Sequence, residues 1–139
     1  MVIANPYASQ DLFIPREVHE RVGDFVGRGS NDGKPFPRFI DAWWLAIGLG
    51  VQFGERRPTP DDRIKFNDGS ILSSDPWRIT QLELLAVAEA GADAVHSPPT
   101  VIRIASEYAN GGFPWLLDQM TGQAEPALAL MNKLGDFAS

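Results

Sequence analysis

Acidic residues near a lysine come closest to a catalytic grouping in this chain. Asp32-Gly33-Lys34 and Asp61-Asp62 could together hold a magnesium ion for phosphodiester hydrolysis, because such sites need converging carboxylates. A nuclease of this kind usually places a Pro-Asp ahead of its acid-x-lysine pair, and here that order is reversed. Metal-dependent cleavage is therefore a third reading behind two others, and solvated loop charge is the ordinary explanation. The histidines, His19 and His96, stand far apart with no second histidine at a ligand spacing, and there is no cysteine. That excludes thiolate chemistry and gives no zinc set. No serine sits in Gly-x-Ser-x-Gly, no phosphate-binding loop is present, and Gly27-Arg28-Gly29 follows a helical pattern and lacks a third glycine. No catalytic residue, metal ligand or cofactor-binding residue is expected.

Basic residues suggest a binding role instead. Met1–Arg57 carries seven Lys/Arg against seven Asp/Glu, whereas Pro58–Ser139 carries five against eleven, so the net charge of −6 comes from the second part. Only the first part could neutralise phosphates, through Arg16, Arg21, Arg28, Lys34, Arg38, Arg56 and Arg57. Pairing of these residues with Glu17, Glu20, Asp24 and Glu55 is the more ordinary outcome for mixed surface charge.

The elements that must position these groups are mostly helical. Ser9 to Ile14 reads as a short strand, and Pro15 opens a helix to about Val26 with Val18, Val22, Phe25 and Val26 on one stripe. A second helix, about Arg38 to Phe53, is apolar on nearly every side. It holds Trp43 and Trp44, which point about 100° apart. Gly48 and Gly50 within it suggest close approach of a neighbouring backbone. Residues 55–62, charged and rich in proline, mark an internal boundary. Ile64-Lys65-Phe66 and Ser70-Ile71-Leu72 around Asn67-Asp68-Gly69 predict a β-hairpin. Helices are then expected from Pro76 to near Gly91, from Pro98 to Asn110-Gly111-Gly112, from Trp115 to Met120 and from Pro126 to Leu134.

The order strand, helix, turn, apolar helix is that of a ribbon-helix-helix DNA binder, in which two strands pair across a dimer and lie in the major groove. Alternation in the strand turns Leu12 and Ile14 inward and leaves Asp11 and Phe13 to face bases, where an aspartate would meet phosphates unfavourably. A strand that packs inside its own chain is the competing reading.

The hexapeptide Glu107-Tyr108-Ala109-Asn110-Gly111-Gly112, after an apolar helix and before Phe113, resembles the closing motif of a small family of accessory proteins associated with DNA phosphorothioation (Dnd) systems. Pro35-Phe36 leading to Asp41, the helix ending Gly54-Glu55-Arg56-Arg57-Pro58, and Leu82-Glu83-Leu84-Leu85-Ala86 extend the likeness from about Leu12 to Met120. The chain departs from that pattern at Trp43-Trp44 and around Asn67-Asp68-Gly69. The resemblance implies a defence-linked accessory role against phage rather than a reaction. Its partners would be other proteins of the same system, met through Trp43, Trp44, Glu107, Tyr108 and Asn110. A plain alternative makes Asn110-Gly111 a left-handed helix cap.

The expected protein is a mainly α single domain of five or six helices, with a short N-terminal strand and one small hairpin. Hydrophobic residues at 44% and charged ones at 22% match a folded soluble chain, and no apolar run reaches the ~20 residues of a membrane span. The N-terminus shows no basic leader before an apolar stretch, so a cytoplasmic location is expected. A homo-oligomer is expected through the Trp43-Trp44 helix or the N-terminal strand. DNA-binding regulation of the ribbon-helix-helix kind is the alternative function.

Overall fold

The computed structural model describes residues 5–27 and 34–137. Strand β1, Asp11–Pro15, follows its alternating pattern, with Leu12 and Ile14 in the core and Asp11 and Phe13 facing outward. It pairs antiparallel with β2, Arg63–Asp68, in a two-stranded sheet with an irregularity between Leu12 and Phe13. Outward side chains hold the ribbon: Lys65 Nζ lies 3.0 Å from Asp11 Oδ1, and the Arg63 guanidinium sits 4.7 Å over the Phe13 ring.

The expected hairpin within residues 64–72 does not form. Gly69–Ser74 is instead a 3-10 turn capped by Asp68, whose carboxylate accepts from the Ser70 N–H at 3.0 Å. Gly69 donates its N–H to the Gln10 carbonyl at 2.7 Å and packs so tightly that a Cβ there would sit 1.8 Å from the Tyr7 oxygen. Tertiary contact with the N-terminal segment thus uses the Asn-Asp-Gly turn signal to end β2.

Helix α1, Arg16–Gly23, stops before the expected Val26. Phe25 and Val26 are taken into a short parallel bridge, in which Phe36 donates to the Phe25 carbonyl at 3.1 Å and Gly27 donates to the Phe36 carbonyl at 2.7 Å. Helix α2, Phe39–Phe53, begins where the Arg38 N–H donates to the Asp41 carboxylate at 3.1 Å. It ends on Gly54 in the left-handed region at φ 66°. Helix α3, Pro76–Ala90, begins at a proline and stops at Gly91, and a 3-10 turn over Ala92–His96 follows.

Helix α4, Pro98–Met120, is the axis of the fold and carries more of its core than any other element. It runs through Asn110-Gly111-Gly112 and Pro114, so the expected stop at this motif and the separate helix from Trp115 are both corrected. Neither glycine adopts a positive φ. They serve contact: a Cβ on Gly112 would lie 1.9 Å from the Ala46 carbonyl oxygen, and one on Gly111 would lie 2.1 Å from that of Glu55. Gly50 of α2 answers, with a Cβ there 2.0 Å from the Tyr108 oxygen. Each glycine costs a helix about 1 kcal/mol against alanine, a cost that the backbone-to-backbone packing of α2 on α4 offsets. Gly48, expected to do the same, has nothing within 4 Å of its Cβ position. Helix α5, Pro126–Gly135, closes on α4 through Leu130. The result is a mainly helical single domain with one small sheet, and no helix among the described residues is long and apolar enough to cross a membrane.

Candidate functional site

Helices α2 and α3 both rest on α4 and leave a groove between them. Trp44, Gly48 and Val51 recur at i, i+4 and i+7 along α2, so they share one face, and α3 answers with Gln81, Leu82 and Leu85. Between the stripes lies a cleft of about 260 Å³ lined by Trp44, Ile47, Gly48, Val51, Gln81, Leu82 and Leu85. Trp77, 51% exposed, stands at its margin through its ring contact with Trp44. Gly48 puts no side chain into the groove, and the space at its Cβ position is open.

One end of the groove is built around a buried arginine. Arg78 Nη2 reaches Asp41 Oδ1 at 3.2 Å, and its Nε lies 3.8 Å from Asp75 Oδ2, while Arg38 pairs with the same two carboxylates at 3.2 and 3.9 Å. The Arg78 guanidinium lies 5.2 Å from the Trp44 ring centre and 5.1 Å from that of Trp77. The two indoles meet edge to face at 5.5 Å and 87°. Tryptophan and arginine held rigid at the mouth of an apolar cleft are the side chains that most often dominate binding energy between proteins.

The expected partner residues divide. Trp44 lies on the groove, whereas Trp43 is buried against Phe66 at a ring separation of 5.8 Å and offers no surface. Glu107, Tyr108 and Asn110, expected as partner contacts, are internal or nearly so. Tyr108 donates to Glu89 at 2.5 Å, Glu107 holds Arg56 at 2.8 Å, and Asn110 Nδ2 donates to the Arg57 carbonyl at 3.1 Å and to Thr59 Oγ1 at 2.9 Å. The Glu107 and Asn110 contacts bind the 55–62 connector to α4, which ties that expected boundary into the domain. The hydrogen bond to Glu89 raises the Tyr108 pKa most, burial and the Glu89 charge add to it, and Arg56 opposes them.

The expected DNA-binding residues are scattered, and several are already occupied. Arg16 pairs with Asp62 at 2.7 Å, Arg38 with Asp41 and Asp75, and Arg56 with Glu89 and Glu107. Lys34 donates to the Asp24 carbonyl at 2.7 Å. Arg21 and Arg57 share a different cleft with Asn110. Arg28 lies outside the described residues, as do Asp32 and Gly33 of the carboxylate-lysine set. Strand β1, which would pair with its twin in a ribbon-helix-helix dimer, pairs with β2 of its own chain. His19 stacks on Phe39 at 4.7 Å, and among the described residues no three His, Asp or Glu side chains converge as a metal site.

Sequence reasoning missed Trp77, Arg78 and Gln81. The signal was present, because α3 carries a second stripe at helical spacing beside the Ile79, Leu82 and Ala86 face that packs inward. Comparison with protein-family models, with curated proteins and with solved structures finds no match to this chain.

Proposed function

We propose that this chain is a non-catalytic adaptor whose α2–α3 groove receives an apolar helix of a partner protein. The observation that supports it is an open groove between α2 and α3, with the half-exposed Trp77 meeting Trp44 at its rim. A third helix laid along two others buries its i, i+3, i+4 and i+7 positions in one groove. For the setting we propose an accessory role in phosphorothioation-linked restriction against phage, which rests on the hexapeptide ending at Gly112 and its flanking stretches.

The test is co-expression with the products of neighbouring genes, followed by hydrogen exchange on any complex that co-elutes. Slower exchange along Trp44–Val51 and Trp77–Leu85 is expected. Failure to co-elute with any of them, or protection confined to another face, overturns the reading.

A further inference from the structure

Helix α5 is held to the domain by very few side chains. Of its ten residues only Leu130 is buried, and Leu134 packs against the core in part. The other large apolar side chains of the helix add little to its docking, because Leu128 is 51% exposed and Met131 67%. Just past the helix, the ring of Phe137 rests on those of Phe53 and Trp115, at 5.6 and 5.4 Å between centres, and is itself half in solvent. Helix α4, by contrast, buries fourteen of its 23 residues. Hydrophobic stabilisation follows the apolar area removed from water, so α5 is held by a small part of what holds α4.

The join between the two helices lets one leave without the other. Helix α4 completes its own end: the Thr121 N–H and Oγ1 both donate to the Leu117 carbonyl, at 2.9 and 2.7 Å. The Gln123 N–H donates to the Met120 carbonyl at 3.2 Å, across Gly122 in the left-handed region at φ 76°. None of these bonds involves α5, so α4 keeps its last turn when α5 departs. Helix α5 starts afresh at Pro126, after the exposed Ala124 and Glu125. A helix of ten residues has little stability of its own in water, so α5 melts when its contacts break. Undocking and melting are then one event.

Phe53 and Trp115, the rings beneath Phe137, also line a cleft of about 370 Å³ with Gly111, Pro114 and Asp118. We propose that α5 and Phe137 form a lid on this cleft, which opens as one unit about Ala124-Glu125 while α1 to α4 stay folded. Opening bares the faces of Phe53 and Trp115 that Phe137 covers and so extends the cleft. Simple fraying would proceed residue by residue from the chain end. Here the main anchor, Leu130, stands in the middle of the helix and a second, Phe137, beyond its end, so the residues between them are released together.

Native-state hydrogen exchange on the full chain tests this. The amides of residues 130–135 are expected to exchange with one shared opening constant, about tenfold or more above that of α4 and insensitive to low denaturant. Phe137→Ala, which removes a half-exposed ring, should raise that constant by about tenfold and leave exchange in α4 unchanged. Leu130→Asp puts a charge into the docking face and should hold the lid open. Oxidation of Trp115 by hydroxyl radicals is then expected to rise about twofold or more, while the buried Trp43 stays protected. Exchange of α5 only together with α4, protection that falls smoothly from residue 130 to 135 and ignores Phe137→Ala, or oxidation of Trp43 alongside Trp115 would each overturn the proposal.

Discussion

Trp77 shows at the scale of one residue how folding and binding separate. Trp77 is half exposed and touches Trp44 and Arg78, so Trp77→Ala removes only about half of a tryptophan's burial, and the cost in folding is expected to be about 2 kcal/mol, below the roughly 3–5 kcal/mol of a fully buried tryptophan. Loss of a rigid aromatic anchor should weaken partner binding by about 2 kcal/mol or more. Unfolding curves and binding titrations on the same variant check both numbers. The two tyrosines carry a pH dependence. Tyr7 is raised by burial and then by its 2.8 Å hydrogen bond to Glu83, and Tyr108 by its bond to Glu89, while Lys65 is raised by its bond to Asp11. All three hold their protons more tightly when folded, so the unfolded chain releases protons first as pH rises past about 10. Their stabilisation is complete below that pH and is lost as pH climbs toward the folded values. Thermal midpoints should therefore fall in strong alkali, and Tyr7→Phe should lower stability by about 1 kcal/mol while making that fall shallower. Trp44 was legible in the sequence as an apolar side chain needing a neighbour. Trp77 was not, because a tryptophan at the second position of a helix reads equally well as core.

At the scale of elements, helix starts were legible because prolines at Pro76, Pro98 and Pro126 mark first turns chemically, whatever the rest of the fold does. Two turn signals misled for a common reason. Asn67-Asp68-Gly69 and Asn110-Gly111-Gly112 have the composition of left-handed turns, yet their glycines are required by backbones far away in sequence, Tyr7 for one and Ala46 and Glu55 for the other. A local pattern records that a side chain must be absent and cannot say what occupies the space. The glycines of α2 turn this into a paired test. Gly50→Ala places a methyl group against the Tyr108 carbonyl, which cannot swing aside, and should destabilise by about 3 kcal/mol, the upper end of overpacking. Gly48→Ala meets nothing and should stabilise the helix by up to about 1 kcal/mol. The same methyl would narrow the α2–α3 groove, so Gly48→Ala should raise the unfolding midpoint while lowering partner affinity.

For the whole molecule, charge sets the expectation for the proposed protein partner against the alternative of DNA. Duplex binding draws on counterions released when free lysines and arginines take up phosphates. Here the chain carries a net −6, and Arg16, Arg38 and Arg56 each already hold a carboxylate. Giving such an arginine to a phosphate exchanges one anion for another and exposes the abandoned carboxylate to the DNA. The strand that would enter the major groove is paired within its own chain and presents Asp11 on its outer face. A gel-shift titration of duplex DNA over a salt series is therefore expected to show no complex even at low salt. Tight binding that declines steeply with salt would restore the DNA reading. Arg57→Ala would then tell which surface carries it, since a phosphate contact there should reduce the salt slope by about one unit. The same variant should leave occupancy of the α2–α3 groove unchanged, because Arg57 lies on the cleft it shares with Arg21.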